Sequence, residues 1–520
     1  MGDGVNKLRL ALLCVTSAFG MGAAPVPQVD LLIRGGTVYP GSDAPFTGDV
    51  AVKGDRIVAV GPHLAMGAAR VIDAKGMIVA PGFIDPHTHV EGHLASQNAQ
   101  ERLVPGFLMQ GVTTAVIGSD GGGSYDMAKV FAHRQTGINY AAHVGFGAVR
   151  RAVIGEADRA PTDAELARMK QLVGDAMCQG AIGFSSGLFY APQSFAKTEE
   201  VAALAAEAGR RGGFYDSHIR DESSYNIGLA AAIGEAIDIG RLGHLPAHIS
   251  HIKALGVDVQ GQAPAIIAKI EAARRAGQDV TADQYPWSAS GTSLAASLVP
   301  RWAQDGGRKA LLARFDDPSL QQKLRADMTN NLRRRGGPGA LLVTEGEFRG
   351  QRLNAIAKAQ GTDPVSAAIA VIRKHDPAVA SFNQTEADIE AFMRQPWVMT
   401  SSDASTGHPR SYGSFARKYA RYVVERHTIS LRDFIERSSS LTADTLGLSE
   451  RGRLKGGAFA DIVVFDPKHY AERATYEQPT LLAQGVRTVV VNGTLAVDQG
   501  KLTGAAAGRA LRKTPRPGSC

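Results

Sequence analysis

Histidines follow three short apolar runs of this sequence, at positions that suit a metal ion. His87 and His89 stand two residues apart at the end of the first run, and side chains at that spacing on a strand share one face. His218 ends a second run, and His251 ends a third. Neutral imidazole is a common zinc ligand, so these four side chains would form a metal site if the fold brings them together. Taken singly, each of them could equally be a structural histidine.

An aspartate and a fifth histidine accompany these candidates. Asp403 follows the apolar run at residues 397–401. Beside a metal, its carboxylate could accept a proton from water and return it to a leaving amine. An aspartate here could also cap the N-terminus of a helix. His248 lies three residues before His251, so we expect it on the opposite face of the strand, in the core or behind the ligands.

Parallel β/α units would bring these residues together. Eight apolar runs alternate with helical stretches, which is the pattern of a (β/α)8 TIM barrel, and the active sites of such barrels lie at the C-terminal ends of the strands. An insertion between residues 284 and 397 could cover the barrel mouth or form a separate lobe. The predicted strands are residues 83–87, 113–117, 140–146, 181–185, 213–218, 246–251, 280–284 and 397–401.

Further β-like runs occur at both ends of the chain and predict a small β-sandwich domain assembled from them. The predicted fold class is therefore α/β, with a TIM barrel, this sandwich and an insertion before the last barrel strand. The predicted boundaries are a signal peptide at 1–24, the sandwich at 29–80 and 452–505, the barrel at 81–451 with an insertion at about 289–350, and a basic tail at 506–520.

The composition is that of a globular protein, with 44% hydrophobic and 21% charged residues, which excludes fibrous and wholly disordered classes. The net charge is 57 − 50 = +7, and four of the positive charges lie in the tail at 506–520. We therefore predict a solvated basic tail and no nucleic-acid partner. Cys14, Cys178 and Cys520 are too few for a disulfide framework, and Cys178 is predicted to be a core residue.

The first residues have the layout of a secretory signal peptide. Lys7 and Arg9 precede an apolar run at 10–19, and small residues follow at 20–24. The run is too short to span a bilayer, so no stable membrane insertion is expected. We predict an exported protein, periplasmic or secreted; a cytoplasmic extension is the alternative.

Several motifs resemble those of the N-acyl-D-amino-acid deacylase (D-aminoacylase) family of the amidohydrolase superfamily. Together with the β segments at both ends, the resemblance covers about residues 29–505. The motifs are SSGLFY at 185–190, SHIRDE at 217–222, ISHIK at 249–253, DQYPW at 283–287, and SD at 402–403 followed by HPRSYG at 408–413.

Membership implies a zinc-dependent hydrolase, with one or two ions, that cleaves the amide bond of N-acyl-D-amino acids to a carboxylate and a free D-amino acid. The small-molecule substrate is the partner that the resemblance implies, and the oligomeric state stays open. It also implies His87, His89, His218 and His251 as metal ligands, with Asp403 as general base and then general acid.

The resemblance assigns four further residues to the substrate carboxylate, namely Tyr190, Lys253, Tyr285 and Arg410. A free carboxylate needs a cation and hydroxyl donors, and arginine offers a two-pronged fork. Lys253 and Arg410 could instead form ordinary ion pairs.

One turn departs from the family pattern. The family has Gly-Asn-Cys-Gly after the second barrel strand, and its cysteine bridges the metals; here Asp120 stands at the cysteine position. A carboxylate can bridge two zinc ions, so Asp120 is predicted to be a metal ligand. The alternatives are a weakened site, a different preferred metal or another substrate.

Other functions remain open at this point. A dipeptidase, or another amidohydrolase acting on peptides or amides with a free carboxylate and a D-residue at the C-terminus, would need the same residues. A non-catalytic binding protein is a further alternative, although such relatives would be expected to lose metal ligands.

Overall fold

The computed structural model describes residues 1–3, 28–132 and 135–520. The predicted signal peptide lies outside the described residues except for its first three. The chain forms a parallel β/α barrel, a β domain built from both ends and a lid inserted before the last barrel strand, which confirms the predicted fold class. In chain order the strands are β1 (Gln28–Val38), β2 (Phe46–Lys53), β3 (Arg56–Gly61), β4 (Gly67–Asp73), β5 (Ile78–Pro81), β6 (Phe83–Asp85), β7 (Val112–Ile117), β8 (Asn139–Ala142), β9 (Val144–Gly145), β10 (Phe184–Gly187), β11 (Tyr215–His218), β12 (Ala247–Ile249), β13 (Val280–Gln284), β14 (Ala289–Ser293), β15 (Leu341–Val343), β16 (Ala378–Phe382), β17 (Val398–Thr400), β18 (Ile462–Phe465), β19 (Val486–Val491), β20 (Thr494–Asp498) and β21 (Lys501–Leu502).

The helices cover the outside of the barrel and build the lid. The barrel helix Asp163–Cys178 starts at a capping box, in which Thr162 and Glu165 each bond the backbone N–H of the other. The helices are α1 (Glu91–Leu94), α2 (Ala99–Arg102), α3 (Pro105–Leu108), α4 (Met127–Val130), α5 (Phe146–Val153), α6 (Asp163–Cys178), α7 (Thr198–Arg210), α8 (Leu229–Gly243), α9 (Ala263–Arg275), α10 (Leu294–Leu298), α11 (Gly307–Asp316), α12 (Gln321–Arg334), α13 (Leu353–Ala359), α14 (Pro364–Lys374), α15 (Glu386–Met393), α16 (Arg410–Arg417, continued by a π-helical segment Lys418–Glu425), α17 (Leu431–Ser438) and α18 (Ser440–Leu446).

Eight parallel strands close the barrel in the order β6, β7, β8–β9, β10, β11, β12, β13 and β17. A parallel bridge between Thr88 and Ala404 links the first strand to the last. Strand β7 is buried along its whole length, as expected for a parallel strand covered on both faces. Each of the eight predicted runs contains a strand, with ends displaced by a few residues, so the C-terminal strand ends meet where the sequence analysis placed them.

The β domain is one nine-stranded sheet formed by β1–β5 and β18–β21. Strand β5 pairs with β1 from the N-terminal side and with β18 from the C-terminal side, which joins the two chain ends. The domain has a hydrophobic core of its own that includes Leu31, Val50, Ile462 and Val490.

The lid is larger than the predicted insertion at about 289–350. Strand β14 pairs antiparallel with β16, and β15 pairs with the other edge of β16, so the inserted unit runs from Ala289 to Phe382. Helices α10–α14 pack on this sheet around a separate hydrophobic cluster that includes Leu298, Met328 and Ile372. The boundary was missed because β16 is a short strand whose pairing partner lies far back in the sequence.

The tail at 506–520, predicted to be solvated, has exposed or half-buried side chains, but its backbone is bound to the barrel. The tail runs across the N-terminal end of the barrel, where the backbone of Tyr140 accepts from Leu511 N–H at 2.7 Å and donates to the Arg509 carbonyl at 3.0 Å. A disulfide bond joins Cys178 to Cys520, so Cys178 is a bonded cysteine and not a simple core residue. Composition could not show this, because the tail is held mainly through its backbone. Among the described residues, no helix is long and apolar enough to cross a membrane.

Candidate metal centre and substrate cavity

The five predicted metal ligands meet at the C-terminal end of the barrel, with the carboxylate of Asp120 in the middle. Asp120 follows β7, and its oxygens lie 3.4 Å from both His87 Nε2 and His89 Nε2. The same carboxylate lies 3.7 Å from His218 Nδ1 and 3.5 Å from His251 Nε2. The carboxylate of Asp120 therefore lies within 3.7 Å of all four imidazoles.

These contacts define two overlapping groups of possible ligands that share Asp120. His87 and His89 form the first group with Asp120, and His218 and His251 form the second. Within each group, the candidate ligand atoms lie within 4.8 Å of one another. The arrangement would suit one or two ions, and Asp120 would be a candidate ligand in either group.

The donor atoms fit a metal ion chemically as well as geometrically. His87 Nε2 and Asp120 Oδ1 are buried and have no hydrogen-bond partner. Buried polar atoms are normally paired, because leaving one unpaired costs about 1–3 kcal/mol. His218 Nδ1 and His251 Nε2 lie 2.9 Å apart, and both lie within 3.7 Å of Asp120 Oδ1. Imidazole and carboxylate are ligands that Zn²⁺ accepts.

The backbone is strained at three residues of this centre. Asp120 has φ +56°, His251 φ +33° and Asp403 φ +48°, all in the left-handed region that side chains other than glycine rarely adopt. Such conformations cost about 1–3 kcal/mol each and persist where the surrounding structure holds them. Here the strain aims three side chains at one point from three different strand ends.

Asp403, the predicted general base, lies beside the two histidines of the first group. Its Oδ1 is 3.4 Å from His89 Nε2 and 3.8 Å from His87 Nε2, and its Oδ2 is 2.7 Å from Arg410 Nη1. Burial alone would raise the pKa of Asp403, but the charges of Arg410 and His251 outweigh burial and hold that pKa well below its ordinary range. The carboxylate is therefore ionised, which is the form that a general base requires.

Arg410 and Lys253, both predicted to hold the substrate carboxylate, have partners within the protein. Arg410 pairs with Asp403 and donates to Ser405 Oγ at 2.9 Å, while its Nε is buried without a partner. Lys253 Nζ donates to Glu222 Oε1 at 2.5 Å and lies 2.7 Å from His251 Nδ1. Both cations nevertheless line the cavity, so a bound carboxylate would join these pairs.

Glu222 was missed as a site residue, although it belongs to the motif at 217–222. Its Oε1 lies 3.2 Å from His251 Nδ1, on the side of the ring away from Asp120. A carboxylate on the outer nitrogen of a ligating histidine fixes the ring and raises its basicity. The signal available in the sequence was an acidic residue four positions after His218, within the same motif.

The predicted position of His248 behind the ligands agrees with its contacts. His248 Nε2 lies 2.8 Å from Asp283 Oδ2, and its Nδ1 lies 2.8 Å from Thr281 Oγ1. Asp283, the first residue of the motif at 283–287, also accepts from the backbone N–H of His251 at 3.1 Å. This buried layer supports the metal centre from inside the barrel.

The two tyrosines supply neutral hydroxyl donors. Tyr190 lies in the loop after β10 with its ring 4.7 Å from that of His218, and Tyr285 directly follows β13. Burial raises the pKa of both phenols, so each keeps its proton. Gln384 Nε2 donates to the hydroxyl of Tyr285 at 3.1 Å, which leaves that hydroxyl free to donate to a ligand.

The lid completes a cavity of about 470 Å³ above the metal centre. Thr292 Oγ1 donates to the Tyr190 hydroxyl at 3.3 Å, which ties the first lid strand to the barrel. The insertion thus covers the barrel mouth and is not a separate lobe. The lid residues that line this cavity include Ser290, Gly291, Thr292, Arg335, Thr344 and Glu345.

Comparisons with known proteins agree with this geometry. The amidohydrolase family model matches residues 70–497. D-aminoacylase of Alcaligenes xylosoxydans xylosoxydans is 34% identical over 93% of this chain and 98% of its own length. N-acyl-D-glutamate deacylase of the same organism is 33% identical over 90% of this chain and 93% of its own length.

Solved structures give the same result. A D-aminoacylase with a binuclear metal centre has a TM-score of 0.79 and 32% identity, covering 93% of this chain and all of that chain (100%). N-acyl-D-glutamate deacylase from Bordetella bronchiseptica, complexed with zinc and a phosphonate inhibitor, has a TM-score of 0.79 and 31% identity over the same shares, 93% and 100%. The family resemblance drawn from the motifs is confirmed.

Proposed function

This chain belongs to the amidohydrolase family, and from that premise we propose that it is a zinc-dependent hydrolase of N-acyl-D-amino acids. The products would be a carboxylate and a free D-amino acid. The observation that carries the proposal is the position of Asp403, an ionised carboxylate 3.4 Å from His89 in a cavity that also contains carboxylate-binding groups. The relatives named above, which act on N-acyl-D-amino acids by name, support the substrate class.

The proposed zinc ligands are His87 and His89 for one ion and His218 and His251 for a second, with Asp120 between them. When bound, Zn²⁺ in such a site supplies Lewis acidity that lowers the pKa of water to about 7 and polarises the acyl carbonyl. One or two ions are compatible with the donor set. The cysteine of the family pattern is replaced here by a harder carboxylate ligand.

Asp403 moves the proton in the proposed reaction. Its Oδ1 accepts a proton from the attacking water as the new C–O bond forms, and Arg410 holds its Oδ2 in place. The protonated carboxyl then donates that proton to the amide nitrogen as the C–N bond breaks. The amine leaves with the proton that the water supplied, and Asp403 returns to its ionised form.

The α-carboxylate of the substrate is proposed to bind among Tyr190, Lys253, Tyr285 and Arg410. The two tyrosines donate neutral hydrogen bonds, and Arg410 has its Nε unpartnered. This arrangement would orient the amide toward Asp403 and the metal ligands, which converts binding energy into positioning.

Amine release from matched N-acetyl-D- and N-acetyl-L-amino acids tests the function directly. We expect the zinc-loaded protein to turn over the D series and to leave the L series intact. Asp403→Asn serves as the matched inactive control, because it preserves the shape of the site. Turnover of dipeptides with a C-terminal D-residue, without turnover of N-acetyl-D-amino acids, would favour the dipeptidase alternative and contradict the proposal.

We also propose that the protein is exported, to the periplasm or beyond. The signal-peptide layout of residues 1–24 supports this, and so does the bond between Cys178 and Cys520, because disulfides persist in oxidising compartments. Expression of the full chain in a bacterial host, followed by fractionation and N-terminal sequencing, tests it. We expect a shortened, oxidised protein outside the cytoplasm; an uncleaved cytoplasmic protein with free thiols would contradict export.

A further inference from the structure

Arg335 is a buried cation in the lid without a charged partner. It directly follows α12 and is 2% exposed, yet it lines the same cavity as the metal centre. Its Nη1 donates to Ser381 Oγ at 3.2 Å, and its Nε has no hydrogen-bond partner. Among the described residues, no carboxylate oxygen lies within the 4.0 Å ion-pair distance of its guanidinium.

Four other buried arginines of the described residues are each paired with a carboxylate. Because a buried charge is costly unless it is paired, a fold normally supplies a carboxylate to each buried guanidinium. Arg335 departs from that pattern at a position that faces the cavity. The pairs are Arg150 with Glu200 at 3.6 Å, Arg410 with Asp403 at 2.7 Å, Arg437 with Asp433 at 3.3 Å, and Arg451 with Asp461.

A second unpartnered polar group lies on the neighbouring strand. Ser290 of β14 is the cross-strand neighbour of Ser381, the residue that accepts from Arg335. Ser290 is buried and lines the cavity, and its Oγ has no hydrogen-bond partner. A guanidinium and a hydroxyl on adjacent parts of the lid are the groups that bind a carboxylate.

We propose that Arg335, with Ser290, binds a second carboxylate of the substrate, so that the preferred substrates are N-acyl-D-amino acids carrying two acidic groups. The inference rests on the proposed function, in which the first carboxylate, the α-carboxylate, binds among Tyr190, Lys253, Tyr285 and Arg410. The second carboxylate has two possible sources, the side chain of an acidic D-amino acid or the far end of a dicarboxylic acyl group.

Glu345 does not provide the missing partner of Arg335. It lines the same cavity, but its Oε1 accepts the backbone N–H of Ala378 at 2.9 Å and it makes no ion pair with Arg335. The guanidinium therefore keeps its positive charge available to a ligand. A ligand carboxylate at this point would replace the water lost on burial of the cation.

Binding to an inactive protein tests the inference separately from turnover. Zinc-loaded Asp403→Asn is titrated by calorimetry with N-acetyl-D-glutamate and with its neutral isostere N-acetyl-D-glutamine. We expect the acid to bind about 10- to 100-fold more tightly, the range for hydrogen bonds to charged groups. N-succinyl-D-leucine against N-butyryl-D-leucine tests the acyl source in the same way.

The preference for the acid over its neutral isostere should disappear when Arg335→Met is added to Asp403→Asn. The affinity for N-acetyl-D-glutamine should stay within about threefold of that of Asp403→Asn, which shows that the site is still folded. Arg333→Gln is the matched control, because Arg333 lies in the last turn of α12, two residues before Arg335, and pairs with Asp258 at 2.7 Å on the exposed surface. Equal affinity for acid and isostere in both pairs, or a preference that survives Arg335→Met, would overturn the inference. Turnover of no D-substrate by the wild type would contradict the proposed function instead, and the binding ratio would still decide the role of Arg335.

Discussion

The barrel end and the lid both form walls of the substrate cavity, but they position their side chains by different means. On the barrel side, Asp120, His218 and Asp403 stand at the ends of parallel strands, so their place in the sequence fixes their place in the site. On the lid side, Arg335 follows a helix and Ser290 lies on an antiparallel strand, and both reach the cavity only because the insertion folds back over the barrel. The position of the proposed catalytic groups thus follows from strand topology, whereas the position of the proposed selectivity groups follows from how one insertion packs. Substitutions in the barrel end should therefore change activity or metal binding more than a substitution in the lid does.

Asp403→Asn should have the largest effect on turnover and almost none on structure. The amide keeps the shape of the side chain but cannot accept the proton of water, so we expect kcat to fall about 10³-fold. Zinc content measured on the same preparation should match the wild type, whereas Tm should fall, because buried Arg410 loses its carboxylate partner. Retention of more than a tenth of the activity would remove Asp403 from the proton-transfer role.

Asp120→Ala tests whether one carboxylate holds the two halves of the metal centre together. The change removes the carboxylate that contacts both His87 and His251. We therefore expect loss of bound zinc and a fall in activity of at least about 100-fold. Asp120→Cys is the matched variant, because thiolate is also a zinc ligand, and it should retain metal. Full zinc content in Asp120→Ala would show that the histidines alone suffice.

Glu222→Gln should weaken metal binding without touching the metal-facing atoms. The isosteric change removes the charge 3.2 Å from His251 Nδ1, and loss of such outer partners lowers metal affinity about 10- to 100-fold. Competition with a chromophoric chelator measures the affinity. An unchanged zinc affinity would show that Glu222 serves only as the ion-pair partner of Lys253 and does not support His251.

Thr292→Val should have the smallest effect and falls on the lid wall. It removes the hydroxyl that donates to Tyr190 at 3.3 Å and keeps the side-chain volume, so the tyrosine loses one restraint. We expect KM for N-acetyl-D-amino acids to rise about 2- to 10-fold with kcat nearly unchanged. A fall in kcat equal to that of Asp403→Asn would contradict the inference that the barrel end carries the chemistry and the lid affects substrate binding.

The residues that the sequence alone located are those marked by local patterns. His87 and His89 follow a strand at a spacing that puts them on one face, and Asp403 follows another, so the barrel rules alone brought them together. No local pattern indicates which side chains from distant strands will pair. Lys253 pairs with Glu222, and Arg410 pairs with Asp403, because of side-chain directions that exist only in the folded barrel.

The lid and the tail were harder to predict for a different physical reason. The extent of the lid depends on β16 pairing with a strand more than eighty positions earlier, as in the pair Ala289 and Phe382, and a short apolar run does not name its partner. The tail is held by backbone groups and by Cys520, whose sulfur bonds a cysteine 342 residues away. Neither contact changes the composition or periodicity of the segment that makes it.

The pairing of Ala289 with Phe382 means that the chain enters and leaves the lid at adjacent points of one antiparallel ladder. The segment between them also has its own hydrophobic cluster, separate from that of the barrel. A gene segment with ends so close together can be exchanged for a homologous one with little disturbance to the eight strands beneath it. Evolution could therefore change which acids are accepted by recombination at two neighbouring points, while the machinery for breaking the amide bond is inherited intact.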